Sequence, residues 1–142
     1  MSWRTAGVTK VVSLLTPDEE EALGLEREKE ASLDAGLSFV SFPIEDRSVP
    51  SSDERATRLI EELDSDLTQG EHVVVHCRQG VGRSGLIASA ILVARGVPPE
   101  DATLQVSRAR GVTVPETPRQ FVWVEDDFPK AWSAAGSRSG RR

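Results

Sequence analysis

The sequence lacks the features that would assign it to a membrane, a secretory route or a nucleic-acid partner. No apolar run approaches the roughly 18 residues of a transmembrane helix, and residues 1–7 lack the apolar centre of a signal peptide. Basic residues number 17 against 23 acidic ones, for a net charge of -6, so the surface as a whole does not attract nucleic-acid phosphates. There is one cysteine, Cys77, which excludes an internal disulfide. We expect a cytoplasmic monomer without membrane or nucleic-acid partners.

The chain is long enough for one domain with a real core. It has 142 residues, of which 38% are hydrophobic, together with 11 glycines. The last stretch, 133–142, contains only serine, alanine, glycine and arginine, a composition typical of disorder. We therefore predict a folded domain over 1–132 and a disordered tail over 133–142.

Strand and helix patterns alternate along the chain. Three segments predict strands, namely Val11–Leu15, Ser38–Ile44 and Val73–Val75. Helical spacing predicts helices at about 18–34 (broken near Gly24), 51–70, 84–95, 98–110 and from 117 onward. Capping boxes are predicted at Thr16 with Glu19 and at Ser51 with Glu54. The order predicts a single α/β domain with a mostly parallel central sheet flanked by helices. The continuous β-branched run at 73–75 indicates a central strand.

The loop at 76–85 is the most informative segment, because it joins a predicted strand to a helix N-terminus. Backbone N–H groups of a glycine-containing loop at this position can surround one anion, and the helix adds its positive end. The same N–H groups would stabilise a thiolate at Cys77, which begins the loop. Arg83, six positions later, can grip two phosphate oxygens with its planar fork. Ser84 can donate a hydrogen bond to the departing sulfur.

Each of these residues also has an ordinary structural interpretation. A lone cysteine after an apolar strand is usually core, an Arg-Ser pair at a helix start is usually a cap, and two glycines usually make a turn. Their combination at this spacing favours a phosphate site over all three. A nucleotide-binding P-loop fits poorly, because it requires lysine where the chain has Arg83 and a different glycine spacing.

The segment from His76 to Ser84 matches the signature H-C-x-x-G-x-x-R-[ST] without departure, and so resembles the cysteine-dependent protein tyrosine phosphatases. The wider chain, from about residue 6 to 128, is similar to the small dual-specificity branch in its bacterial-type form. Residues 42–47 resemble the acid-bearing loop of that branch, and residues 114–120 resemble a downstream segment.

The resemblance implies a role for each matching residue. Cys77 would form a phosphocysteine intermediate, and Arg83 would bind the phosphoryl group. Asp46 would act as general acid and then as base, His76 would support the thiolate by ordering the loop, and Ser84 would assist its departure. The backbone amides of the phosphate-binding loop would hold the phosphoryl oxygens (Arg78, Gln79, Gly80, Val81, Gly82 and Arg83). Gln120 matches a position that places water in some relatives. No metal or other cofactor is expected.

Asp46 is also supported by topology. It follows a strand expected to run parallel to 73–75, so its loop should emerge at the sheet edge that carries Cys77. Glu45 and Asp53 are rival acids, and a loop aspartate can simply cap a turn.

Three functions follow from these observations. The first is a phosphomonoesterase acting on phosphoproteins, on phosphotyrosine as well as phosphoserine and phosphothreonine, since no long segment builds a deep cleft. The second has the same chemistry on inositol phosphates, phosphoinositides or another small phosphate ester, although Arg78 is the one basic residue in the loop beyond Arg83. The third is a module that binds phosphate without hydrolysing it.

Overall fold

The computed structural model describes residues 7–78 and 82–139, with side chains up to residue 136. Gln79, Gly80 and Val81 of the predicted phosphate-binding loop lie outside the described residues. The elements in chain order are β1 (Lys10–Ser13), α1 (Pro17–Leu23), α2 (Glu28–Asp34), β2 (Ser38–Ser41), α3 (Asp53–Thr68), β3 (Val73–His76), α4 (Gly82–Ala94), α5 (Pro99–Arg110), α6 (Pro118–Val122), a π-helical turn (Trp123–Asp127) and α7 (Phe128–Ser139).

The three described strands form a parallel sheet in the order β2-β1-β3. This confirms the predicted parallel α/β architecture flanked by helices. The prediction that 73–75 form a central strand was wrong. Among the described strands, β1 is central and β3 lies at an edge. Val11 and Val12 of β1 are fully buried, whereas the residues of β3 are half-buried. A β-branched run indicates apolar faces and carries no information about strand order.

The register fixes both outer strands against the same residue of β1. Ser13 lies opposite Ser41 of β2 and opposite His76 of β3. The carboxyl ends of all three strands therefore meet at one edge of the sheet, where α1, the loop after β2 and the loop after β3 begin.

The helix boundaries follow local capping. Thr16 and Glu19 form the predicted capping box, and Gly24, with φ 71°, ends α1 in the left-handed region. The cap of α3 is Ser52, whose side chain accepts from the Arg55 N–H, which corrects the prediction of Ser51. Ser52 is the residue directly before the first helical position, as an N-cap must be.

The C-terminal helix α7 continues to Ser139 and so enters the predicted tail, 133–142. Residues 133–139 thus belong to this helix, while 140–142 lie outside the described residues. Alanine, a strong helix former, recurs in this stretch and extends the helix. The division into 1–132 and 133–142 stays a prediction.

The core lies between the sheet and the helices that follow it. Its buried apolar members come from β1, the loops after β1 and β2, α3, α4, the π-helical turn and α7, and include Val12, Leu14, Ile44, Ala56, Leu59, Ile60, Leu63, Leu86, Ile87, Ala90, Trp123, Val124 and Phe128. Trp123 and Phe128 stack at a ring-centroid distance of 5.2 Å. This core anchors the base of α4, whose first turn carries the site. Within the described ranges, the helices are too short or too polar to cross a bilayer.

Candidate active site

Cys77 follows β3 directly and is a free thiol with 9% of its surface exposed. Arg78 beside it is exposed, and α4 begins at Gly82 on the far side of 79–81. A Cβ at Gly82 would lie 2.8 Å from Glu116 Oε1 and 3.0 Å from Glu116 Cβ, so Glu116 would have to shift to admit one. The start of α4 and the 114–120 segment therefore lie close together.

Arg83 is buried, with 2% of its surface exposed, in the first turn of α4. Its Nη1 donates to Glu19 Oε1 at 2.7 Å, and its Nη2 donates to Glu19 Oε2 at 2.9 Å. Nη1 also donates to the Ile44 carbonyl at 2.7 Å. This two-point contact with a carboxylate fixes the plane of the guanidinium.

The charges around Arg83 shift the pKa values of both partners. Burial alone would lower the pKa of Arg83, but the hydrogen bonds and charge of Glu19, with negative charge at Cys77 and Asp46, raise it overall. The hydrogen bonds from Arg83 are the main cause that lowers the pKa of Glu19 to about 2. Both groups are therefore charged in the physiological pH range.

Asp46 lies in the loop after β2, and its Oδ1 is 3.6 Å from Arg83 Nη2. The carboxylate is 61% exposed, so a ligand from solvent could reach it. Of the two rival acids, Glu45 is exposed in the same loop, and Asp53 accepts a hydrogen bond from Trp123 Nε1 at 2.9 Å. The structure thus brings Asp46 to the predicted sheet edge.

The 114–120 segment holds the Asp46 loop in place. Arg47, at a positive φ of 62°, pairs with Glu116 at 3.2 Å. Gln120 is fully buried, and its Nε2 donates to the Ser48 carbonyl at 2.9 Å. Its Oε1 accepts from the N–H groups of Glu116 and Thr117. These contacts make Gln120 an anchor of the acid loop, and its role in placing water stays a prediction.

His76 and Ser84 each have a partner that the sequence did not indicate. His76 Nε2 lies 2.6 Å from Glu28 Oε2. Ser84, with 1% of its surface exposed, accepts a hydrogen bond from Arg110 Nη2 at 3.2 Å. Glu19, Glu28 and Arg110 were therefore missed as neighbours of the site. The sequence predicted Glu19 as a capping residue, which is correct, and gave no indication that the same carboxylate also binds Arg83.

A buried, oriented guanidinium thus lies beside a carboxylate and interacts with a thiol that follows β3 at the carboxyl edge of the parallel sheet. This is the arrangement of the protein tyrosine phosphatases of the dual-specificity class. The family model described as "Polymorphic toxin system, DSP-PTPase phosphatase" matches residues 2–97, and the chain belongs to this family.

Two curated proteins are similar to parts of the sequence. One is the protein 197R of Invertebrate iridescent virus 6, described as a tyrosine phosphatase, which is 40% identical over 68 residues. The other is protein tyrosine phosphatase domain-containing protein 1 of Bos taurus, which is 26% identical over 132 residues. The matches cover 45% and 87% of this chain but 26% and 16% of those relatives, so the chain spans a minor part of their length.

Solved structures share the fold. Kinase associated phosphatase, with its catalytic-site cysteine replaced by serine, aligns with a TM-score of 0.86 at 22% identity, covering 93% of this chain and 74% of that one. Tk-PTP in its active form aligns with a TM-score of 0.77 at 26% identity, covering 90% and 82%. These structures confirm the predicted fold, and the family model confirms the predicted dual-specificity class, while the bacterial type stays a prediction.

Proposed function

We propose that this domain is a phosphomonoesterase that removes phosphate from phosphoproteins through a phosphocysteine intermediate. One observation carries the proposal: the buried guanidinium of Arg83 is held within reach of the Asp46 carboxylate, at the loop that starts with Cys77. A guanidinium between a nucleophile and a carboxylic acid is suited to a dianion that loses an oxygen leaving group.

In the first step, the Cys77 thiolate attacks phosphorus and the bond to the ester oxygen breaks. Asp46, in its protonated form, gives its proton to that oxygen. In the second step, Asp46 accepts a proton from a water molecule that attacks phosphorus, and the S–P bond breaks to return the thiolate. Ser84 donates a hydrogen bond to the sulfur as it leaves, and His76 orders the loop.

The contacts of Arg83 determine which of its donors remain for the phosphoryl group. A guanidinium carries five N–H donors, and Glu19 and the Ile44 carbonyl occupy both of those on Nη1 and one on Nη2. We assign Nε and the second N–H of Nη2, on the side of Asp46, to the phosphoryl oxygens. The backbone amides of residues 78–83 complete the anion site, with Gln79, Gly80 and Val81 assigned from the sequence.

The charge at the mouth of the site favours a phosphoprotein over a polyphosphorylated ligand. Arg78 is exposed beside Cys77, but Arg47 is already paired with Glu116. The carboxyl group of Asp46 is exposed at the same mouth and adds no positive charge. A ligand with several phosphates would therefore find few unpaired cations in the described part of the mouth. A phosphoinositide is the second candidate, because PTPMT1, which shares the fold at a TM-score of 0.74, was solved in complex with PI(5)P.

The test is hydrolysis of para-nitrophenyl phosphate in the presence of EDTA, from about pH 4.5 to 8. Wild type should turn over substrate, Cys77→Ser should be inactive, and Asp46→Asn should lose about 100-fold or more in kcat. Activity that requires a metal, or that survives Cys77→Ser, would contradict the proposed chemistry. Tight phosphate binding without turnover in folded, reduced protein would indicate a binding module instead.

A substrate panel then separates the two candidates. Phosphotyrosine, phosphoserine and phosphothreonine peptides should be hydrolysed with higher kcat/KM than inositol phosphates or PI(5)P vesicles. Preference for the inositol compounds would reject the phosphoprotein proposal, and turnover of phosphotyrosine alone would reject dual specificity.

The family description supports a cellular setting, a polymorphic toxin system. We propose that the domain acts there as a cytoplasmic monomer. The lone thiol of Cys77 supports the cytoplasmic location, since a reducing compartment keeps a thiol reduced. Expression of the wild type inside bacteria should slow growth, and Cys77→Ser should not. Sedimentation velocity would test the monomer.

A further inference from the structure

A buried acid lies behind the predicted nucleophile, on a helix that the sequence did not connect with the site. Glu28, the first residue of α2, places Oε2 at 2.6 Å from His76 Nε2. The side chain of Glu28 is 11% exposed and that of His76 is 19% exposed. The second carboxylate oxygen, Oε1, is buried and has no hydrogen-bond partner among the described residues. Burying a carboxylate costs free energy unless the group is paired and hydrogen-bonded.

The low exposure of the Glu28 side chain does not come from helix capping. Glu28 follows the N-cap residue Arg27, which makes no side-chain cap hydrogen bond. The exposed neighbour Glu30 forms an ordinary surface pair with Arg27 at 3.6 Å. Glu28 is the acid of this helix that turns inward, and it meets the residue that directly precedes Cys77.

A carboxylate that bonds one imidazole nitrogen has two effects. It fixes the ring orientation and places a proton on that nitrogen, and it stabilises the protonated ring. A cationic ring next to a cysteine in turn stabilises the thiolate. The other charged groups of the site are on different elements. Arg83 on α4 interacts with the charge at Cys77 and contacts Glu19 of α1 and Asp46 of the loop after β2, and Arg78 is exposed directly after Cys77. The carboxylate that contacts His76 Nε2 belongs to Glu28 and to none of these groups.

We propose that Glu28 is a positioning residue that acts through His76 to hold Cys77 as a thiolate, which rests on the function proposed above. The carboxylate orients the imidazole and favours its charged form, and the imidazolium supports the thiolate of the next residue. Glu28 itself does not contact the phosphoryl group.

The test measures the alkylation of Cys77 by iodoacetamide as a function of pH, by mass spectrometry of intact protein. The reaction is unambiguous because Cys77 is the one cysteine of the chain. Glu28→Gln keeps the size and one hydrogen-bond acceptor but removes the charge. The midpoint of the rate against pH should rise by about 0.5 to 1 pH unit. Glu30→Gln, which removes an equal charge from the surface of the same helix, should leave the midpoint unchanged.

Two further variants separate positioning from a merely structural role. Glu28→Asp keeps the charge, and its midpoint should lie between those of wild type and Glu28→Gln; it also serves if Glu28→Gln does not fold. In a His76→Asn background, Glu28→Gln should cause no additional shift. An unchanged midpoint in Glu28→Gln, or an equal shift with and without His76, would overturn the proposal.

Alkylation needs no turnover, so this experiment does not depend on finding a substrate. A shifted midpoint in a protein that hydrolyses no phosphate ester would uphold the role of Glu28 and reject the proposed function. Phosphatase activity with an unmoved midpoint would do the reverse.

Discussion

The ion pair between Glu19 and Arg83 leads to a prediction about stability. The side chain of Glu19 is 12% exposed and that of Arg83 is 2% exposed, so water screens their contact poorly. Glu19→Gln keeps the shape of the side chain and an acceptor for the Thr16 backbone N–H, which Glu19 Oε1 accepts at 3.0 Å. The substitution therefore removes the charge while it leaves most of the cap of α1 in place.

The magnitude follows from the pKa of Glu19, which Arg83 lowers from 4.5 to about 2. Lowering a pKa by one corresponds to about 1.4 kcal/mol, which gives an upper value of about 3 kcal/mol for this carboxylate. Solvent reaches part of the carboxylate and screens some of this interaction, so we expect Glu19→Gln to lower the free energy of unfolding by about 2 kcal/mol at pH 7.

The sign of the pH dependence is set by the unfolded chain, which takes up the proton first as the pH falls. The stabilisation by Glu19 is therefore complete above its unfolded pKa of 4.5 and is lost as the pH falls through about 2. The difference between wild type and Glu19→Gln should fall to less than half of its neutral value by about pH 3.

Urea unfolding followed by tryptophan fluorescence measures this difference, since Trp123 is buried in the core. Glu21→Gln, an exposed neighbour on α1, is the matched control and should change stability by less than about 0.5 kcal/mol. A loss in Glu19→Gln no larger than in this control, or one that stays constant down to pH 3, would refute the reasoning.

Two other predictions concern the frame of the site. A Cβ at Gly85 would lie 2.7 Å from Val114 Cβ, so Gly85→Ala should cost about 1 to 3 kcal/mol of stability and lower kcat/KM as the first turn of α4 moves; unchanged melting and kinetics would show that Val114 yields freely. Lys10 is paired with Glu62 and Asp66. Burial lowers the pKa of Lys10, but these partners raise it overall above 10.5. Lys10→Met should therefore cost about 1 kcal/mol at neutral pH. That difference should disappear as the pH rises above 10.5 through the higher folded-state pKa, and its persistence there would contradict the assignment.

The sequence was sufficient to predict that Asp46 and Arg83 lie at the same edge of the sheet. Strands and helices alternate, so the sheet had to be parallel, and a parallel sheet places the ends of Ser38–Ser41 and Val73–His76 on one side. That topology brought Asp46 to Arg83 without any knowledge of side-chain contacts. The spacing between Cys77 and Arg83 predicts the anion loop, which stays a prediction because 79–81 lie outside the described residues.

The partners behind the site could not be predicted, because they depend on helix orientation. Eight acids lie between 18 and 34, and the sequence does not show which of them turn inward after the chain breaks at Gly24. Glu19 does so against Arg83, and Glu28 does so against His76. The strand order could not be predicted from the apolar pattern either. Residues 10–13 and 73–76 both contain apolar runs, and only the pairing of the strands shows which one is central.

Strand β1 carries none of the predicted site residues, yet it sets the relative position of the loop after β2 and the loop after β3. Ser13 is in register with Ser41 on one side and with His76 on the other. The segments that lead to Asp46 and to Cys77 therefore both start level with the same residue of β1. A slip of one residue on either side would displace one of these segments by about 3.3 Å and turn every side chain of that strand to the opposite face. The relative position of the loops that carry Asp46 and Cys77 thus depends on the backbone pairing of β1 with both neighbouring strands. Variation in the loops around it can change what enters the site without altering that pairing.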